Sequence, residues 1–247
     1  MPVYRDYFRR LYDTIEHVIS SEGSRIETAA KWMAQSIADD GIVHLFGSGH
    51  SHMIAEEVFH RAGSLMPLNP MLDVNVTFMG SVNATLLERS SGYGAVVVGS
   101  QDIRPGEVVI VISNSGVNPL PIEVALEAKA IGAKTISITS DQYYADAPSR
   151  HASGKRLAEV TDLTIDTQVP RGDALIEIPG SDVRTGGVSS VIGISIINAI
   201  VAETADQLRK MGIEPPIIPT MNLPGGDEAM EVLLQRYAAR LPLLKRA

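Results

Sequence analysis

The sequence predicts an α/β fold, a doubly wound parallel sheet with helices packed on its faces. Short apolar runs bounded by turn residues, at 42–46, 95–98, 108–112, 135–138, 163–165 and 175–178, have the length and texture of buried strands. Helical stretches over 51–62 and 119–131 separate several of them, and strand-helix-strand alternation calls for parallel pairing through right-handed crossovers.

Taken in order, Tyr4, Phe8, Leu11, Ile15, Val18 and Ile19 recur at three- and four-residue steps, and Ile26, Ala29, Met33 and Ile37 repeat the pattern. Two amphipathic helices are therefore expected, an N-terminal helical hairpin over 1–40 that belongs to the same domain as the rest. Its turn falls at Ser20-Ser21-Glu22-Gly23-Ser24, with Ser24 as N-cap of the second helix. Gly41 leads into the first strand. Pro119 in the first turn and Gly132 beyond the last bound the 119–131 helix. The polar stretch 142–155 reads as a loop or short helix over the sheet's edge or its ligand end. Segment 187–208 is apolar on nearly every side, as befits a helix packed between two neighbours, one of which is a second subunit in the expected homodimer. Residues 214–219 are proline-rich and extended, and a helix over 227–241 forms the C-terminal extension of the domain spanning 41–247.

With 247 residues and 45% hydrophobic content, the chain can bury one large core. It has no cysteine, which excludes disulfides, thiolate metal sites and thiol nucleophiles and fits the expected cytoplasmic location. The first residues lack the pattern of a secretory signal. The apolar stretch 188–202, interrupted by Ser189, Ser190, Gly193, Ser195 and Asn198, is read as too short to cross a bilayer, so no membrane partner is expected. Lys and Arg number 21 against 29 Asp and Glu, for a net charge of −8, and the basic residues are scattered. That balance argues against a nucleic-acid partner, and a small anion would need a built pocket.

Two turns can build one. Val43-His44-Leu45-Phe46-Gly47-Ser48-Gly49-His50-Ser51 passes from strand to glycine turn to helix, where N–H groups, a helix N-terminus and the Ser51 hydroxyl favour an anion. Alone this is weak evidence, because glycine turns follow strands for geometric reasons too. The second turn repeats the arrangement: Val109-Ile110-Val111-Ile112 runs into Ser113-Asn114-Ser115-Gly116-Val117-Asn118-Pro119, with hydroxyls two residues apart. In a doubly wound sheet both turns lie at carboxyl ends of strands, near a topological switch point. Asn118 has a plainer role open to it as a helix N-cap.

The pairing of Gly47-Ser48-Gly49-His50-Ser51 with Ser113-Asn114-Ser115-Gly116-Val117-Asn118-Pro119 resembles the sugar isomerase (SIS) domain of phosphoheptose isomerase, glucosamine-6-phosphate synthase and N-acetylmuramic acid 6-phosphate etherase. The whole chain resembles the SIS branch labelled UPF0309. The resemblance implies a five-stranded parallel sheet in a three-layer α/β/α sandwich, flavodoxin-like in its winding. It also implies a phosphate held by Ser51, Ser113, Ser115 and Asn118 and a dimer whose partner helices complete the site, and Gly47, Gly49, His50, Arg61, Asn114 and Gly116 are further expected phosphate- or substrate-binding positions.

For chemistry, the helix after the first turn offers His52, Glu56, Glu57, His60 and Arg61. Aldose-ketose isomerisation needs a base to move a proton between neighbouring carbons, and Glu57 is the candidate base with His60 as proton shuttle. The isomerase and etherase relatives carry a carboxylate ten residues beyond the turn serine, where this chain has Arg61. Either the base has moved to Glu57 or Glu56, or Arg61 binds a carboxylate or second phosphate, or the chemistry differs. His52, Glu56 and His60 recur every four residues but do not form the H-E-x-x-H pattern, so no metal or other cofactor is expected. Glu88 and Arg89 read as surface charge. His151, Ser153 and Lys155 could form a lid, and Ser189 and Ser190 could add hydroxyls to the pocket or simply cap a helix.

The leading expectation is a sugar phosphate isomerase. A lyase or deaminating isomerase of amino-sugar phosphates shares the phosphate grip and differs in leaving group. A non-catalytic sugar-phosphate sensor shares the grip alone. About forty residues precede the first strand, too few for a separate basic DNA reader, so a direct transcription factor is not expected.

Overall fold

Val108–Ile112 is a run of β-branched residues that leaves no polar face, so as a strand it must be covered on both sides. The computed structural model, which describes residues 2–142 and 147–244, covers it in that way. Five parallel strands form the main sheet: β1 (Val43–Gly47), β2 (Leu68–Pro70), β3 (Val108–Ile112), β4 (Lys134–Thr139) and β5 (Leu163–Asp166), in the order β2-β1-β3-β4-β5. Chain direction across the sheet reverses between β1 and β3, the switch point of the doubly wound fold. On one face pack α1 (Val3–Ala38), α2 (His52–Glu57) and α6 (Ser189–Lys210), burying Ala30, Met33, Ile54, Ile196 and Ile200 with Leu45 and Ile110 of the strands. The other face is covered by α3 (Ser81–Arg89), α4 (Tyr93–Gly99) and α5 (Pro119–Ile131), whose Val97, Leu120 and Val124 meet Phe46, Val109 and Val111. The three-layer sandwich expected from the sequence is the observed one.

The opening hairpin is not. α1 is one continuous helix of 36 residues, about 54 Å at the usual rise. The serines that read as a turn satisfy themselves inside it, Ser20 and Ser21 each donating to the His17 carbonyl at 2.9 Å. Glu22 is buried, grips Arg25 and accepts the Asp166 N–H at 3.1 Å, so a long-range bond to the sheet holds the helix straight where local propensity suggests a break.

Other departures have equally local causes. The apolar run at 95–98 is helical, within α4, because the Glu123 carboxylate accepts the Gly92 and Gly94 N–H groups at 2.8 and 3.0 Å and caps the first turn. Short apolar runs do not distinguish strand from helix by period. β2 has prolines in and beside it, which an edge strand tolerates. The run at 175–178 contributes β6 (Ala174–Ile176), which pairs antiparallel with β7 (Thr185–Gly187) outside the main sheet. The helix expected over 51–62 ends at Glu57, where the Ser64 hydroxyl donates to the Val58 carbonyl at 2.6 Å and His60 turns to φ 49°. α6 runs to Lys210, long and apolar enough by length and composition to cross a membrane, yet it lies along α1 as a core helix. After it, α7 (Gly226–Tyr237) and two short helical turns close the described chain.

At the amino ends of the strands, Glu107 is buried and accepts four hydrogen bonds: from Ile42 N–H (2.8 Å), Arg104 N–H (2.9 Å), His44 Nε2 (3.1 Å) and Arg240 Nη2 (2.8 Å). Asn69 Nδ2 faces His44 Nδ1 at 3.0 Å, which places the ring proton on Nε2, toward Glu107. Burial pushes the Glu107 carboxyl up, but the bonds from His44, Ile42, Arg104 and Arg240 outweigh it and hold the group below its usual range. Glu107→Gln should cost about 3 kcal/mol in denaturant unfolding at neutral pH, because it leaves Arg240 and His44 without their anion. Since the folded-state value is depressed, this stabilisation is complete above the ordinary glutamate pKa of about 4.3 and is lost as pH falls through the folded value. The gap between wild type and Glu107→Gln should therefore narrow in unfolding curves taken at progressively lower pH.

Candidate functional site

Gly47, the last residue of β1, sits where a side chain cannot: a Cβ there would lie 2.4 Å from the Ser51 carbonyl oxygen, so the turn folds back over the strand end. Gly49 takes φ 53° and donates its N–H to the Val76 carbonyl at 2.8 Å. Its carbonyl accepts from the buried His52 ring, which packs at 4.7 Å centroid distance on Phe78. His50 is exposed and Ser51 half-buried at the entrance to α2, and no acceptor meets the His50 N–H among the described residues.

In the second turn the Ser113 hydroxyl is buried and accepts the Gly116 N–H at 3.2 Å, so it braces the turn from within. Gly116, at φ 61°, comes so close to β4 that a Cβ would meet Thr139 Oγ1 at 2.8 Å. Asn114 Oδ1 accepts the Thr167 hydroxyl at 3.2 Å, while Asn114 Nδ2 is buried without a partner. Ser115 is half-buried, and neither its hydroxyl nor its N–H has a hydrogen-bond partner among the described residues. Asn118 makes no side-chain cap for α5; its Oδ1 instead accepts from Arg150 Nη1 at 2.6 Å.

Gly47 is the ladder partner of Ile112, so both turns leave the sheet side by side. Between them lies a narrow cleft of about 10 Å³ with Ser51, Asn114, Thr167, Ser189 and Ser190 as its polar lining and Ile54, Ile112 and Ile138 behind. The Ser189 hydroxyl is engaged by Asp173 at 2.6 Å, which also accepts the Val188 and Ser189 N–H groups and pins the start of α6 to the cleft. The structure thus brings Ser51 and Asn114 into one cleft, with Ser115 and Asn118 farther along the same turn and Ser113 inside its frame. Thr167 and Arg150 are functional candidates that the sequence pattern does not single out. The one signal for Thr167 is its place just past the end of a strand; Arg150 lies beside His151, Ser153 and Lys155, which are the more conspicuous residues of that loop.

The candidate catalytic pair is arranged differently from expectation. Glu57 ends α2 and forms an ion pair with Arg61, both on an open cleft with Met53, Phe59 and Ile194. His60 lies beyond the helix, in its left-handed turn, its ring tilted 43° to that of Phe59 at 6.0 Å between centroids and without a hydrogen bond to Glu57 among the described residues. His52 Nε2 is 3.7 Å from Glu56, and because the helix stops at Glu57 the three residues His52, Glu56 and His60 do not share one helical face. In the 147–157 loop, His151 Nδ1 and Ser153 Oγ bond each other at 2.8 Å. Glu88 and Arg89 sit at the end of α3.

Known proteins share the fold. The SIS domain model matches residues 6–140. A UPF0309 protein of Geobacillus kaustophilus is 43% identical over 239 residues, covering 96% of this chain and 95% of its own. A solved phosphoheptose isomerase from Francisella tularensis is similar with TM-score 0.54 and 16% identity, over 82% of this chain and 96% of that one. The sugar isomerase domain of an RpiR transcription factor from Sphaerobacter thermophilus is similar with TM-score 0.51 and 14% identity, over 95% and 97%. These two solved structures share the fold, which does not by itself fix an activity. The glycine and serine turns, the five-stranded sheet and the sequence match agree: the chain belongs to the SIS domain family, in its UPF0309 branch.

Proposed function

We propose that this protein binds a phosphorylated sugar in the crevice between β1 and β3 and isomerises it between aldose and ketose. The observation that carries the binding is Asn114 Nδ2, buried without a partner on the cleft that the Ser51 and Ser190 hydroxyls also line, with Ser115 and the His50 N–H unmet by protein on the same two turns. A cluster of donors without acceptors suits an anion with several oxygens, and a phosphoryl group has that form. Membership of the SIS family supports the same ligand class.

The chemistry is read from α2. Ser51 opens the helix and Glu57 ends it, about 9 Å apart along the axis and on different clefts, so a sugar phosphate held at Ser51 must extend around α2 to reach Glu57. Glu57 takes the proton from the carbon beside the carbonyl and returns it to the former carbonyl carbon, through an enediol, while His60 moves the hydroxyl proton between the two oxygens. To act, Glu57 exchanges Arg61 for substrate, and Arg61 is then free to meet a substrate anion. A second reading, the non-catalytic sensor, is favoured by the Glu57–Arg61 ion pair and by the absence of a bond between Glu57 and His60 among the described residues.

Deuterated water separates them. Isomerisation incorporates deuterium at the carbon next to the carbonyl of a bound sugar phosphate, and Glu57→Gln should lower that exchange by about 10²- to 10⁴-fold with little change in affinity. A ligand that binds tightly and never exchanges would establish the sensor. In either case Ser51→Ala should weaken sugar phosphate binding by about 10- to 100-fold in calorimetric titration, the value of one hydrogen bond to a charged group.

The same proposal includes a homodimer. The first half of α1 exposes Tyr4, Phe8, Tyr12 and Ile19, and an apolar groove between α1 and α6 is lined by Ile15, Ile19, Ile192 and Ile196. A second copy of this chain is the occupant that such exposed apolar residues beside an apolar groove suit. Sedimentation at micromolar concentration should give twice the chain mass, and Ile19→Glu should give a monomer; a monomeric wild type would refute the pairing.

A further inference from the structure

We infer that Arg150 is a binding and positioning residue of the phosphoryl site, one that fixes the Asn118 amide and sets an uncommitted guanidinium beside the second turn. The inference rests on the sugar-phosphate reading of that turn and adds to it the source of positive charge that the hydroxyls and amides lack.

The loop carrying Arg150 is fastened to the turn at two points, Arg150 N–H to the Val117 carbonyl at 2.8 Å and Leu157 N–H to the Gly116 carbonyl at 2.9 Å. From that anchorage Arg150 Nη1 donates to Asn118 Oδ1 at 2.6 Å. A guanidinium only donates, so the Asn118 oxygen must be the atom that faces it, and the amide nitrogen with its two hydrogens is turned away. No protein acceptor meets Asn118 Nδ2 among the described residues, although, unlike Asn114 Nδ2, it is not a fully buried unpaired atom. Arg150 therefore determines that the buried Asn118 presents donors rather than an acceptor to whatever occupies the turn.

Its charge is also unspent. In a chain of net charge −8, Arg61, Arg104, Arg236 and Arg240 each sit on a carboxylate, whereas Arg150 meets none among the described residues and is exposed. A neutral amide holds the side chain in place without neutralising it. The remaining N–H groups of the planar fork suit two oxygens of one phosphoryl group, a geometry that lysine cannot supply. The ligand class this favours is the doubly ionised phosphomonoester, over an unphosphorylated sugar or a singly charged carboxylate.

The test is calorimetric titration of the full chain with inorganic phosphate, fructose 6-phosphate and arabinose 5-phosphate between pH 5 and 7.5. Wild type should bind a phosphate probe more tightly as pH rises through the second phosphate ionisation near about 6. Arg150→Ala should raise Kd about 10- to 100-fold at pH 7.5 and flatten that dependence, while the ligand-free melting temperature stays close to wild type. Arg150→Lys should recover part of the affinity. Asn118→Ala combined with Arg150→Ala should lose less than the sum of the single losses, because the two act together. Should Arg150→Ala fail to fold, Arg150→Gln, which keeps a donor for Asn118, makes the same comparison. A folded variant at Arg150 that retains wild-type affinity and wild-type pH dependence overturns the assignment while leaving the phosphate site standing. A wild type that binds none of the probes overturns both.

Discussion

The pairing of β1 with β3 is the constraint on which the rest depends. Gly47 stands opposite Ile112 at the end of a parallel ladder, so the chain leaves two adjacent strands at the same level and the following turns face one crevice. Burial of both strands fixes that register: a slip would leave β3 misaligned with the helices that cover Ile110 and Val111 on opposite faces. At the strand end the missing side chain of Gly47 lets the turn fold back onto itself, which brings Ser51 toward the second turn. Asp173 then pins the first residues of α6 against the same crevice, and with Thr167 past β5 four separate segments contribute polar groups.

At the amino ends, Glu107 gathers His44, Arg240 and two backbone N–H groups into a network that ties the C-terminal segment to the core, with Asn69 Oδ1 and the Tyr237 hydroxyl buried without a partner nearby. At the carboxyl ends, Asn114 Nδ2 is buried and unpaired and Ser115 has no partner among the described residues. Buried polar groups are nearly always paired in folded proteins, and Asn114 Nδ2 is the unpaired one whose residue lines the cleft between the two turns, a place that a ligand suits. Solved SIS-fold relatives include both an enzyme and the domain of a transcription factor, and in this chain the deciding feature is local: whether substrate can draw Glu57 away from Arg61.

Much of this is legible in the residues. The β-branched runs at 108–112 and 135–138 suit buried strands and little else, and Pro119 with Gly132 bounds α5 to the residue. The two turns stand out because glycine and serine follow a buried strand twice in one chain, and strand geometry alone does not require the serines. What stays hidden depends on distant partners. Gly23 and its serines look like a turn until Glu22 reaches Asp166, and the valines of α4 look like a strand until Glu123 caps them. The bond from the Gly116 N–H to the Ser113 hydroxyl is hidden too, because it is set by the left-handed turn that Gly116 makes. Arg150 is invisible for the same reason: only the folded loop brings it to Asn118, 32 residues away.

The central claim is that both turns hold one phosphoryl group, and amide chemical shifts observe it residue by residue. During titration of the isotope-labelled protein with a sugar phosphate, the backbone amides of His50 and Ser51 and those of Asn114 and Ser115 should shift together and saturate at a single Kd. Shifts confined to one turn, or saturation at two different ligand concentrations, would contradict it.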